Sequence, residues 1–131
     1  TLVETGTRAL LMLHAKVGRW LQMGGHADGD CDLAGVALRE ATEECGIEGL
    51  TLYAPAIDVD AHTVSGRRNE PAHDHLDLRF LVVAPPGAVE VGNEESDALA
   101  WVSVDELDSL DPAIDDLTGW LVRRAIALTP V

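Results

Sequence analysis

Residues 25–47 read "GHADGDCDLAGVALREATEECGI", and three glutamates crowd the end of this stretch. Asp32 is a good N-cap, and Gly46 is the usual residue for closing a helix in the left-handed conformation, so the spacing predicts a helix from about Asp32 to Cys45. Ala34, Ala37, Leu38, Ala41 and Cys45 fall at helical spacing and form its apolar stripe. The stripe is made mostly of small residues, which implies close packing on a sheet. Glu40, Glu43 and Glu44 stand at i, i+3 and i+4, off that stripe and toward solvent or a cleft. Each carboxylate at this helix end opposes the backbone dipole by roughly 0.3–1 kcal/mol, and each like-charged pair adds about 0.2–0.5 kcal/mol. A solvated acidic face is the plain reading. A bound cation is the other, since only Arg39 lies near in sequence and the Gly24–Gly25 pair offers backbone carbonyls. Asp28, Asp30 and Asp32 have the spacing that opens a calcium-binding EF-hand loop. That loop needs Gly at its sixth position and Glu at its twelfth, where Leu33 and Arg39 stand, so the EF-hand reading fails.

The rest of the chain narrows the class. Its 131 residues suffice for one domain, 1–131, with a proper core. With 47% hydrophobic and 24% charged residues, the composition is that of a soluble globular protein. Twenty-three acids oppose nine bases for a formal charge of −14, which repels nucleic-acid polymers and anionic membranes. No apolar run approaches the ~18 residues of a membrane span. No signal peptide is visible, and a chain that starts at Thr1 is expected to have lost upstream residues. Cys31 and Cys45 lack CxxC spacing, so a reducing, cytoplasmic setting is expected.

Outward from the helix, "TLVE" and "RALLMLH" read as strands around a turn, followed by a short "WLQM" segment. "LTLYAPAIDVDAHTV" is strand-like, with Ile57, Val59 and Ala61 alternating against Asp58, Asp60 and His62. "HDHLDLRFLVVA" puts Leu76, Leu78, Phe80 and Val82 on one face and His75, Asp77 and Arg79 on the other. "ALAWVSV" is a further strand, and a last helix is predicted with Asp111 as N-cap and Pro112 as its first residue. This order predicts an α/β fold, a mixed sheet with helices on its faces.

Residues 25–47 resemble the Nudix box, G-x5-E-x7-R-E-U-x-E-E-x-G-U, where U is a bulky aliphatic residue. Gly25, Arg39, Glu40, Ala41, Glu43, Glu44, Gly46 and Ile47 fall at matching positions, with Ala41 a small choice for U. The resemblance implies the Nudix fold, an α/β/α sandwich. It implies hydrolysis of the pyrophosphate bond in a nucleoside diphosphate linked to another moiety, with Mg²⁺ (or Mn²⁺) as cofactor. Glu40, Glu43 and Glu44 match metal-holding carboxylates, Gly25 a backbone carbonyl ligand, and Arg39 an arginine that orients a glutamate. Homodimers are frequent in the resembled family. One position departs: the first box glutamate is Cys31, and a neutral thiol is a poor ligand for a hard cation. Asp30 and Asp32 flank the gap. A catalytically impaired nucleotide-binding or regulatory module of the same fold, and an unrelated acidic metal-binding domain, are the rival readings.

Outside the box, Glu94 and Glu95 are the candidates for the water-activating base or a further metal ligand, against a plain polar turn. His73, His75, Asp77 and Arg79 fit either a cleft wall or an exposed face. Zinc is disfavoured there, because no cysteine or third histidine stands at helpful spacing. His26 fits phosphate contact or solvent, and Arg67 and Arg68 fit phosphate recognition or a surface loop. Trp20 and Tyr53 fit base stacking or core, and Trp120 is expected in the core.

Overall fold

The computed structural model describes residues 1–4, 6–66, 69–94 and 96–130. Its elements in order are β1 (Leu2–Glu4), β2 (Arg8–His14), β3 (Trp20–Leu21), α1 (Leu33–Cys45), β4 (Thr51–Val64), β5 (His73–Ala84), β6 (Ser96–Ser103), a 3₁₀ turn (Val104–Ser109) and α2 (Asp116–Leu128). β2 pairs antiparallel with β6 along its whole length. Its other edge is shared: β1 takes Arg8–Leu10 and β3 takes Met12 and Leu13. β1 then pairs in parallel with β5, Leu2 opposite Val82, and β5 pairs antiparallel with β4. The sheet is therefore mixed, as the sequence predicts.

Alternation along the central strands divides two cores. Val3, Leu11, Leu81 and Val102 face Val122 and Ala125 of α2, with Trp20 among them. Leu2, Leu10, Val82 and Ala84 face Cys45 and Ile47 at the end of α1, with Leu38 packed alongside. Each helix thus covers one face, an α/β/α arrangement. Within α1, Val36, Ala41 and Cys45 are buried, whereas Ala34, Ala37 and Leu38 are half-buried. Val36 joins the expected stripe.

α1 begins and ends where local chemistry predicts. Asp32 Oδ1 accepts from the Gly35 N–H at 3.0 Å. Gly46 closes the helix at φ 67°, donating its N–H to the Thr42 carbonyl. The Val91 N–H then takes up the Cys45 carbonyl at 2.7 Å, so the segment leading to β6 lies across the helix end. A Cβ on Gly46 would meet the Val91 carbonyl oxygen at 2.8 Å. Gly46→Ala should therefore lower stability by at least the roughly 1–2 kcal/mol of left-handed backbone. A shift in the urea midpoint at constant slope measures this; an unchanged midpoint would show that the close approach is relieved without cost.

Two expectations are corrected. α2 starts at Asp116 rather than at Pro112, because Asp115 is the cap, its Oδ1 accepting from the Thr118 N–H at 2.7 Å. The Asp111 carbonyl is committed to the Trp20 indole N–H instead. Trp120 is 47% exposed and not core, with the Arg124 guanidinium 5.5 Å from its ring centroid. Trp20 is buried in the core, while Tyr53 is exposed. Leu76 and Leu78 continue the face of Phe80 and Val82 past the end of β1, opposite Ala61 and Val59 of β4, and both are exposed.

Candidate active site

The short pairing of β1 with β5 makes a cleft. β1 matches β5 only over Val82–Ala84, so the Asp74–Arg79 stretch runs on past it. The space between that stretch, the segment after β3 and the start of α1 is a cleft of about 640 Å³. Gly24, Gly25, His26 and Glu44 border one side, and Asp74–Arg79 the other.

The box acids meet the glycine pair at this rim. Glu44 is buried, only 5% exposed, and its Oε2 accepts from the Gly24 N–H at 3.1 Å. Glu40 lies against Gly25 so closely that a Cβ there would be 2.5 Å from the Glu40 carboxylate carbon. Only glycine permits that approach. Glu43 is exposed on the same helix. The three acids therefore differ in environment, and Glu44 is not turned toward solvent. Arg39 links the helix to the loop before it: its guanidinium is 3.9 Å from Glu40 and 4.0 Å from Asp30. Cys31 is exposed beside Asp30. Asp32 is spent on the helix cap, so Asp30 is the flanking acid that reaches Arg39. Burial pushes the Cys45 thiol above its usual range, and the nearby Glu44 and Glu90 carboxylates push the same way, which keeps it protonated core material.

On the far wall, Arg79 gathers three aspartates: Asp58 at 2.9 Å, Asp77 at 3.1 Å and Asp60 at 3.8 Å. The hairpin register sets His62 opposite His75 and Asp60 opposite Asp77. His62 thereby joins His73 and His75, which linear spacing alone did not reveal. Asp60, His62 and Asp77 offer ligand atoms all within 4.8 Å of one another. Among the described residues that is the tight three-way group of metal-ligating side chains; the box acids are spread more widely. Glu94 is exposed and does not border the cleft. Glu95, Arg67 and Arg68 lie outside the described residues.

A family model described as the NUDIX domain matches residues 2–121. The chain belongs to the Nudix family. With the family comes the general class, a pyrophosphate-cleaving hydrolase of Nudix type. The fold is shared with a NUDIX-family hydrolase from Clostridium perfringens at TM-score 0.78 and 23% identity, covering 97% of this chain and 92% of that one. A C. elegans Ap4A hydrolase in a binary complex superposes at TM-score 0.67 and 19% identity, over 96% of this chain and 92% of the other. RenU, a Nudix hydrolase from M. smegmatis, gives TM-score 0.65 and 22% identity, over 99% and 83%. Among curated proteins no sequence match is found.

Nudix enzymes generally use divalent metal, and the Nudix-box donor set here fits one. It is all oxygen, as a hard cation requires. The carboxylate cradle against Gly25, which any side chain would fill, keeps Glu40 beside the glycine backbone.

Proposed function

We propose that this chain is a single Nudix domain over residues 1–131 that hydrolyses the pyrophosphate bond of a small nucleoside diphosphate derivative. The observation that carries this reading is the convergence of Glu40 and Glu44 on Gly24–Gly25 at the rim of the cleft. Glu40, Glu43, Glu44 and the Gly25 carbonyl would hold Mg²⁺, with Mn²⁺ the alternative. When bound, such an ion neutralises phosphate oxygens and lowers the barrier to attack. Arg39 positions Glu40, with Asp30 on its other side. In the reaction, water oxygen bonds to one phosphorus while the bond from that phosphorus to the bridging oxygen breaks. The bridging oxygen leaves on the second phosphate, and the water proton passes to a base. Of the two acids on the segment before β6, Glu94 stands outside the cleft lining, so Glu95 is the one we propose first for that base, with Glu94 its alternative. Leu76 and Leu78 offer an apolar surface at the cleft for the uncharged part of the substrate.

No described helix is long and apolar enough to cross a membrane. The cysteines are unbridged, which fits a cytoplasmic setting. A homodimer without nucleic-acid or membrane partners completes the reading.

Cys31 supports the second reading, a binding module that has lost catalysis. A panel of nucleotide sugars, ADP-ribose, dinucleoside polyphosphates and nucleoside triphosphates, assayed with and without Mg²⁺, separates the two. The hydrolase reading expects Mg²⁺-dependent turnover by the wild type, changed only about ten-fold by Cys31→Glu, or about 1.4 kcal/mol of barrier. An inert wild type beside an active Cys31→Glu variant overturns it in favour of the module.

A further inference from the structure

The far wall of the cleft carries hydrogen-bond acceptors that the box chemistry does not use. Asp74, His75 and Asp77 of β5 all border the cleft. The proton positions on the histidines follow from their partners. His73 Nδ1 is 2.9 Å from the Pro71 carbonyl oxygen, which can only accept, so in the uncharged ring Nδ1 carries the proton and Nε2 the lone pair. His75 Nε2 lies 3.0 Å from that His73 Nε2 and therefore donates to it. An uncharged imidazole that donates from one nitrogen presents the other as an acceptor. His75 Nδ1 is thus an acceptor, set by a relay that starts at Pro71.

Donors on the same wall are already spent. Among the described residues, Arg79 is the one lysine or arginine that borders the cleft. Its Nη1 donates to Asp58 at 2.9 Å and its Nη2 to Asp77 at 3.1 Å, with Asp60 at 3.8 Å. One guanidinium stands among three carboxylates, so it brings no surplus positive charge to a phosphate. Asp74 Oδ1 accepts from the Thr63 hydroxyl at 2.8 Å, and a carboxylate has a second oxygen to offer. The wall is an acceptor surface with negative charge in excess, interleaved with the exposed Leu76 and Leu78.

We infer that this wall selects a substrate whose group beyond the pyrophosphate is uncharged and rich in hydroxyls, as in a nucleoside diphosphate sugar, and rejects one that continues as further phosphates. The inference rests on the function proposed above for where the pyrophosphate sits. Hydroxyls donate to carboxylate and imidazole acceptors, and the C–H face of a sugar can lie on Leu76 and Leu78. An added phosphate has no donor to offer and brings its charge against Asp74 and Asp77. Discrimination then has an attractive and a repulsive part. A site built to accept from a substrate hydroxyl also leaves its own polar groups unpaired when that hydroxyl is missing.

Matched ligands test this on the full chain in Mg²⁺: ADP-glucose against ATP, and UDP-glucose against UTP. The ratio of kcat/KM reads the preference if the wild type turns over, and calorimetric Kd reads it if not. In at least one pair the sugar nucleotide is expected to lead by ten-fold or more. His75→Phe, which keeps a ring and removes the acceptor, and Asp74→Asn, which removes charge, should each narrow that lead several-fold. Triphosphates preferred or equal in both pairs overturn the inference while leaving the hydrolase reading intact. An inert wild type that still binds the sugar nucleotide ten-fold tighter does the reverse. Failure to bind any of the four ligands overturns the inference, and so does a lead that both variants keep in full. CDP-choline preferred over CDP-glucose would show a wall that reads cations, and overturns it too.

Discussion

Replacing Glu44 with glutamine is expected to lower kcat by about two to three orders of magnitude, roughly 3–4 kcal/mol of barrier, with no loss of stability. Glutamine keeps the volume of the buried side chain, and its amide oxygen can still accept from the Gly24 N–H. What disappears is one negative charge at a helix end that already disfavours anions. Glu40 precedes Glu44 by one turn, so the substitution also removes a like-charge pair worth about 0.2–0.5 kcal/mol. The variant should melt at or slightly above the wild-type temperature while turning over far more slowly. That pairing is the signature of a residue kept for function against its own stability cost. Glu43→Gln, on the exposed side, should act in the same direction. Wild-type rates in both variants would refute the metal-holding role of these acids.

Gly25→Ala is expected to cost about a hundred-fold in kcat at unchanged melting temperature. The new methyl group would fall 2.5 Å from the Glu40 carboxylate carbon. Glu40 ends a flexible side chain, so the fold absorbs the intrusion by swinging the carboxylate aside. A displacement of about 1 Å in a catalytic group is enough for that loss of rate. Gly24→Ala is the control, because nothing lies within 4 Å of a Cβ at Gly24. If the two alanine variants behave alike, the close packing of Glu40 on Gly25 has no part in turnover.

The box helix was legible because everything that defines it is local. Asp32 caps four residues from where the first turn ends, Gly46 follows the last turn, and the acids repeat along one side. Periodicity left Glu44 open to solvent or to a cleft; it borders the cleft, and its burial comes from the Gly24 segment, which periodicity within α1 cannot report. The histidine and aspartate ladder was illegible for a related reason. Alternation placed His62 on β4 and His75 on β5, yet only the hairpin register sets them opposite each other. Alternation placed Leu76 and Leu78 on the face of Phe80 and Val82, but it could not report that both are exposed, since β1 pairs with β5 only over Val82–Ala84. At α2, two Asp-containing starts compete in sequence. Asp115 wins because the Asp111 carbonyl is taken by a tryptophan far away along the chain. The Ser103–Glu106 pair, whose carboxylate accepts from the Ser103 N–H at 2.9 Å, is a start signal that was available and went unread.

The parallel pairing of Leu2 with Val82 has a consequence for biosynthesis. The ribosome delivers β1, β2 and the whole box before β5 exists. Until β5 emerges, Cys45 and Ile47 lack half of the apolar surface against which they pack in the finished sheet. Contact order is correspondingly high for this part of the molecule, and folding of the first half must wait for the second. During that interval the acidic flank of α1 acts as a gatekeeper, its charge holding nascent chains apart while the greasy side of the helix is still uncovered.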